Sequence, residues 1–288
     1  MKKTIVSDSE KYKASRKKKR ITFFKKISIF FLVIFLFSII SAVFLSLDRF
    51  TVKKILVEGI NDSDAQIVKN MIAEEISGKY FFLFPKSNTL LLPKNKIKNN
   101  LTNTFLRFKD LNIVVSKDEV LIVSLSERKQ EYIWCGTSFS YLDEGKECYF
   151  MDEDGYIFEK APYFSGDVYF KFFGNIIKDA VPLGNYFLKN DLKKIDILRE
   201  RIEEYGLKPI AFSLLEDGDM EFYLTSTLSK NDLPPRIIFK GNVDFVKLIE
   251  NLETVLSTEP LSTEYQENYA NLEYIDLRYG NKVYYRFR

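Results

Sequence analysis

The stretch Ile27–Leu47, with the sequence ISIFFLVIFLFSIISAVFLSL, contains 21 residues and no charged side chain. At about 1.5 Å per residue, a helix of this length spans about 31 Å, close to the hydrocarbon core of a bilayer. A cleaved signal peptide has a shorter apolar region followed by small residues at the cleavage site. The stretch therefore predicts an uncleaved transmembrane helix, with a cleaved signal peptide or a buried core helix as the alternatives.

The residues before this span are strongly basic. Segment 1–26 holds 11 Lys and Arg against 2 acidic side chains, a formal charge of +9 in a chain whose total is +3. Basic residues beside a transmembrane helix favour the cytoplasmic side, so we expect the C-terminal part to lie outside the cytoplasm. The tail is predicted to be disordered and to contact lipid headgroups, which we favour over nucleic-acid binding.

The composition excludes several classes of enzyme. The chain has no histidine, which removes Ser-His-Asp and Cys-His catalysis and the usual zinc ligand sets. It also lacks a glycine-rich phosphate loop and a G-x-S-x-G motif. We therefore expect none of these active sites and no metal site.

A membrane-anchored cell-wall enzyme is the alternative from another functional class. Its acid and base would be paired carboxylates, either Asp152 with Asp154 or Asp217 with Asp219. Both pairs lie beside glycines in predicted hairpin turns, where aspartate usually serves the backbone. We therefore favour the structural interpretation, and a peptidoglycan hydrolysis assay would distinguish the two.

Cys135 and Cys148 are the two cysteines of the chain, and both follow the apolar span. Strand-like segments flank them, so a disulfide across a hairpin in an oxidising compartment is one interpretation. Two small buried thiols are the other. Native mass spectrometry with alkylation distinguishes them.

The segment after the span predicts a small α+β module. Phe50–Gly59 is predicted to be a strand, and Ser63 begins a capping box for a helix. A second helix is predicted over 93–105, with strands over 111–116 and 120–126. The order β-α-α-β-β predicts two helices on one face of a three-stranded sheet.

The second region is richer in strands and contains two predicted amphipathic helices. One covers 191–205, and its inward face is predicted to consist of Leu192, Ile195, Leu198, Ile202 and Tyr205. The other follows Asn242. The inward face of the second helix is predicted to consist of Val243, Val246, Ile249, Leu252 and Leu256. Such apolar stripes are typical of helices that pack on a sheet.

The clearest hairpin lies at the end of the chain, with strands over 272–279 and 282–288 joined at Gly280-Asn281. In its last strand Val283, Tyr285 and Phe287 alternate with Lys282, Tyr284, Arg286 and Arg288. This strand is a candidate sheet edge. Its basic residues either protect the edge from unwanted pairing or form part of a surface for an added partner strand.

Several motifs, in this order and spacing, resemble the bacterial cell division proteins FtsQ and DivIB. Phe50–Gly59 is similar to the first strand of the POTRA module of that family, and Leu121–Arg128 to the motif that closes the module. Trp134 with segment 149–158 resembles the beginning of the family's β domain. Tyr274–Tyr279 resembles its C-terminal signature.

The resemblance implies an α+β protein with four parts. These are a cytoplasmic tail over 1–26, a transmembrane helix over 27–47, a POTRA domain over 50–128 and a β domain over 129–288. The protein would lie in the cytoplasmic membrane at the division septum, with both domains outside. The presence of an outer membrane stays open.

The resemblance also implies a non-enzymatic scaffold of the divisome, with no catalytic residue, no cofactor and no small-molecule substrate. It would bind small single-span partners of the FtsB/DivIC and FtsL types by strand addition and coordinate septal cell-wall synthesis. The residues that match the signature strand are Tyr274, Asp276, Arg278 and Tyr279, with Tyr279 as the aromatic anchor. Tyr284 and Arg286 join this candidate site because of their position on the last strand.

An envelope transport or assembly protein that contains a POTRA module is the alternative among binding proteins. The two interpretations differ in where the protein accumulates. A fluorescent fusion would form a band at mid-cell for a division protein and a diffuse envelope signal for a transport module.

Overall fold

The computed structural model describes residues 6–139, 147–164, 168–176, 181–225 and 233–288, with side chains from Lys19 onward. The chain forms two compact units. The first comprises Met1–Thr104 and Asp110–Ser126, and the second Phe105–Lys109 and Glu127–Arg288. Helices and strands are mixed along the chain, which confirms the α and β content that the sequence predicted.

The first unit begins with the long helix α1 (Val6–Leu45). Its segment Lys19–Leu45 is long and apolar enough to cross a membrane, and little of it is buried within the chain. The helix includes most of the basic tail, so the prediction of a disordered tail is wrong. Lys and Arg are good helix formers, and extending an existing helix is easier than nucleating a new one.

Three strands of the first unit form a small sheet in the order β1-β5-β4. They are β1 (Lys54–Glu58), β4 (Phe108–Val115) and β5 (Val120–Glu127), and β1 runs parallel to β5. Helices α2 (Asp62–Glu75) and α3 (Lys94–Thr104) belong to the same unit as this sheet. The apolar core consists mainly of side chains from both helices and β5, namely Val68, Ile72, Ile97, Leu101, Leu121, Val123 and Leu125.

The beginning of α2 differs from the prediction. Asn61 Oδ1 accepts a hydrogen bond from the Asp64 N–H at 2.9 Å, so Asn61 and not Ser63 is the N-cap residue. Asparagine caps a helix as well as serine does. The helix therefore begins two residues before the predicted capping box.

A short hairpin follows α2 and packs on the end of α1. It consists of β2 (Lys79–Tyr80) and β3 (Phe84–Pro85) in antiparallel pairing. Strand β3 contacts α1. Asn88, fully buried just after the hairpin, donates from Nδ2 to the Leu45 carbonyl at 2.6 Å. This bond satisfies one of the carbonyls that a helix end leaves free.

The second unit contains a nine-stranded sheet in the order β14-β13-β12-β11-β10-β9-β6-β7-β8. In chain order its strands are β6 (Tyr132–Trp134), β7 (Tyr149–Met151), β8 (Ile157–Lys160), β9 (Lys171–Phe173), β10 (Pro209–Leu214), β11 (Asp219–Leu224), β12 (Arg236–Lys240), β13 (Leu272–Tyr279) and β14 (Lys282–Phe287). Strand β9 is parallel to both of its neighbours and β12 is parallel to β13, whereas the other pairs are antiparallel.

Strand β9 joins the two halves of this sheet. It is three residues long and lies between β6 and β10. Phe172 and Phe173 are both buried and belong to different apolar clusters. Their opposite directions follow from the period of two of a β-strand, so the short strand contributes to the core on each face.

Three helices supply the core on one face of the sheet: α4 (Leu192–Glu204), α5 (Phe245–Leu256) and α6 (Leu261–Asn268). Helix α4 buries Leu192, Ile195, Leu198 and Ile202, which confirms the predicted stripe. In the predicted stripe of α5, Leu252 and Leu256 are buried and Val243 and Ile249 pack against the core, but Val246 is wrong, because it is 66% exposed. Asp244 caps the helix through the Val246 N–H, and the buried residues are Leu248, Leu252 and Leu256. Helix α6 was not predicted.

Candidate partner-binding edge

The final strand, β14, lies at one edge of the nine-stranded sheet and is paired with β13 on its inner side. Just after it, the Arg288 N–H donates to the Asn271 carbonyl at 2.8 Å. Bonding directions alternate along an antiparallel strand, so the backbone groups of Val283, Tyr285 and Phe287 face outward. No other strand of the described residues pairs with this outer side.

Two exposed tyrosines lie where β13 and β14 meet. Tyr279 is 57% exposed and Tyr284 is 51% exposed. Their rings are in edge-to-face contact, with centroids 5.1 Å apart. An exposed aromatic pair beside a free strand edge provides contact area that a partner strand can bury. The structure thus brings together two of the predicted site residues.

Asp276 and Arg278 form a second group on the same hairpin. The Arg278 guanidinium donates to both Asp276 oxygens, at 2.9 and 2.6 Å, and to Asp219 Oδ2 at 2.9 Å. Burial alone would raise the pKa of Asp276, but hydrogen bonds from the Arg278 side chain and backbone outweigh it and lower that pKa. The same bonds raise the pKa of Arg278. The side chains of these two residues therefore serve mainly to link β13 to β11, and not to contact a partner.

The other two predicted site residues lie across the β13–β14 ladder from each other. Tyr274 is the register partner of Arg286. Arg286 is exposed and its Nε lies 3.0 Å from Glu273 Oε2, whereas Tyr274 is half-buried. Arg286 is thus accessible to a partner, and Tyr274 forms part of the sheet surface behind it.

This part of the sheet contains a further polar group, and its residues are not among the predicted site residues. Glu221 is buried on β11, accepts a hydrogen bond from the Tyr223 hydroxyl at 2.6 Å and lies 3.8 Å from Arg236 Nε. Burial and this hydrogen bond raise the pKa of Tyr223. Nothing local in the sequence indicates this group, because β11 and β12 must pair before Arg236 lies near Glu221.

The opposite edge of the sheet has a different arrangement. Strand β8 is followed outward by segment 184–187, in which the Gly184 N–H donates to the Ile157 carbonyl at 2.8 Å. The Ile157 N–H donates to the Asn185 carbonyl at 2.9 Å, and the Phe187 N–H to the Gly155 carbonyl at 2.8 Å. The chain itself therefore covers the start of this edge, at Gly155 and Ile157.

Of the four carboxylates in the enzyme alternative, Asp152, Asp154 and Asp217 lie in turns, and Asp219 is the first residue of β11. Asp152 is fully buried; it accepts from the Asp154 and Tyr156 N–H groups and from Arg128 Nη1. Asp217 accepts from the Asp219 N–H at 3.0 Å. Both bonding patterns are those of aspartates that shape a turn.

Cys135 and Cys148 are bonded to each other through their sulfur atoms. They flank the pair of strands β6 and β7, and Cys135 is buried in the apolar cluster on the face opposite the helices. Over the described residues, no three His, Cys, Asp or Glu side chains are grouped so that they could hold a metal ion.

Neither the comparison with protein-family models nor the comparison with curated proteins finds a match to this chain. The functional assignment therefore depends on the sequence motifs and on the geometry of the edge.

Proposed function

We propose that the chain is a single-pass membrane scaffold of the FtsQ/DivIB type, with a POTRA-like first unit and a β domain as its second. Helix α1 would anchor it, with the basic tail in the cytoplasm and the rest of the first unit and the whole second unit outside. The outer side of β14 is the observation on which this proposal rests, because a partner strand added there would pair with backbone groups that no strand of the described residues pairs with.

The proposed partners are single-span division proteins of the FtsB/DivIC and FtsL types at the septum. Backbone hydrogen bonds to β14 would supply much of the affinity, and Tyr279, Tyr284 and Arg286 would select the partner's side chains. Asp276 and Arg278 would hold the strand in place from behind. No residue in this mechanism performs chemistry, so the protein would act as a scaffold and not as an enzyme.

A pull-down with the full chain tests the proposed edge. Tyr285→Pro removes an outward N–H while the ladder to β13 keeps its bonds, and Tyr285→Ala is the matched control for the lost side chain. We expect Tyr285→Pro to lose the partner and Tyr285→Ala to keep it. Tyr279→Ala should weaken binding, whereas Tyr163→Ala, at an exposed tyrosine elsewhere in the second unit, should not.

Circular dichroism checks that each variant is folded. Full retention of binding by both Tyr285→Pro and Tyr279→Ala would refute the edge-strand mechanism. The cellular role has its own test: a fluorescent fusion that forms no mid-cell band would argue against a division protein, even with the edge mechanism intact.

A further inference from the structure

The hairpin of β2 and β3 exposes two adjacent phenylalanines at its tip. Phe81 is 86% exposed and Phe82 is 94% exposed. Both have a left-handed backbone, with φ of 48° and 63°, a conformation that residues with large side chains rarely adopt. Two exposed aromatic rings on an unfavourable backbone conformation do not stabilise a soluble surface. Their exposure therefore indicates a binding role.

The position of the hairpin indicates what the tip binds. Strand β3 contacts α1, and Asn88 fastens the chain just after the hairpin to the Leu45 carbonyl. Phe81 and Phe82 precede Phe84 by at most three residues, so they lie within about 11 Å of a strand packed on α1. The tip is thus fixed beside the end of the helix that is apolar enough to span a membrane.

The depth of this contact along α1 also matters. Ala42 lies inside the uncharged run that ends at Leu47 and is only 7% exposed, whereas most of the helix surface before it is exposed. Part of the fold therefore covers α1 within the last residues of the apolar span. A hairpin packed on this end of α1 would lie near the boundary between headgroups and acyl chains.

The residues beside the tip fit such a boundary. Lys79 begins the hairpin and Lys86 follows it directly, and Lys86 Nζ lies 5.8 Å from the centre of the Tyr80 ring. Aromatic rings favour the membrane interface, and lysine extends its charge toward phosphate groups from there. The apolar tip and its basic flanks match the chemistry of a phospholipid surface.

We infer that the tip formed by Phe81 and Phe82 inserts into the outer interface of the same membrane that α1 spans, as a second contact with lipid. This inference rests on the membrane anchor in the proposed function. With two contacts, the first unit is held in one orientation to the bilayer and does not swivel about the end of α1.

Lipid quenching of a tryptophan at the tip tests this inference. The full chain carrying Phe82→Trp is reconstituted into phosphatidylethanolamine and phosphatidylglycerol vesicles, with or without bromine on the acyl chains. Val114→Trp, on β4 of the same unit and 48% exposed in the parent chain, is the matched control. The parent chain reports the background from Trp134, its single tryptophan.

We expect Phe82→Trp to lose emission in brominated vesicles, more for bromine near the headgroups than for bromine near the chain ends. Val114→Trp should lose no more than the parent chain. Phe81→Trp provides a second probe. Emission from both tip variants that shifts to shorter wavelength without quenching would mean contact with protein, either a partner or a second copy, and would overturn the inference.

Alkaline extraction of the same vesicles separates this inference from the anchor. Chain that stays in the membrane while neither tip variant is quenched would refute the tip contact alone. Chain that is extracted would refute the anchor, and the tip contact with it.

Discussion

The nine-stranded sheet ends in β8 on one side and in β14 on the other, and the two edge strands differ in what they pair with. Segment 184–187 pairs with the chain at the start of β8, through two backbone hydrogen bonds to Ile157 and one to Gly155 just before the strand. The outer side of β14 has no such cover among the described residues. Proteins usually block free strand edges because these invite pairing with other chains.

The difference between the edges indicates function. A segment of the chain's own backbone pairs at one edge, and a similar segment could have paired at the other. Strand β14 instead presents outward backbone groups beside the Tyr279 and Tyr284 rings. The covered edge is therefore expected to matter mainly for stability, and the open edge mainly for binding.

The largest expected effect on stability comes from a substitution at Asp152, in the turn that leads into the covered edge strand β8. Asp152→Ala leaves Arg128 without its buried partner, and we expect a loss of about 3–5 kcal/mol in the free energy of unfolding. Urea unfolding of the full chain in detergent, followed by Trp134 fluorescence, measures it. Asp154→Ala, whose carboxylate is partly exposed, should cost under about 1 kcal/mol; equal losses would contradict the prediction.

A smaller effect is expected behind the open edge, at Asp276. Asp276→Asn weakens its bonds to Arg278 and should cost about 1.5–3 kcal/mol at neutral pH. The folded pKa of Asp276 lies below the ordinary value of 3.8. Its contribution is therefore complete above that value and is lost as the pH falls through the folded pKa.

The free energy of unfolding of the parent chain and of Asp276→Asn, measured as a function of pH, tests this prediction. The difference between the parent chain and Asp276→Asn should be constant near neutrality and should shrink in acid below pH 3.8. A difference that grows on acidification would mean that the carboxyl is protonated in the folded state.

The smallest effect is expected at the open edge itself. Tyr284→Ala removes an exposed ring, and we expect a change in unfolding free energy of under about 1 kcal/mol. The same Trp134 measurement applies. A loss as large as that of Asp276→Asn would show that the ring supports the fold, and would remove the contrast between the two edges.

Local patterns predicted the parts of the fold that depend on near neighbours. The terminal hairpin was found in the sequence because Gly280 and Asn281 separate two short strands, and the observed strands end within a residue of the predicted ones. Helix α4 was found because its buried residues repeat at helical spacing. Turn chemistry and periodicity are properties of a few consecutive residues.

The remaining features depend on distant parts of the chain. Arg278 bonds to Asp219, 59 residues away, and the cover of β8 comes from a segment that has no strand pattern. Strand β9 is too short to show periodicity. The exposure of Phe81 and Phe82 could not be predicted either, because an apolar run such as Tyr80 to Phe84 is normally expected to be buried.

Strand β9 gives the second unit a mechanical weak point. If α1 is held by a membrane and β14 by a partner, tension enters the sheet at β6, the first strand after the first unit, and leaves at its far edge. Within the sheet that tension must pass through the three residues of β9. Under load the sheet would separate first between β6 and β9, because this ladder has two register pairs, whereas the ladders between β10 and β14 have three to five.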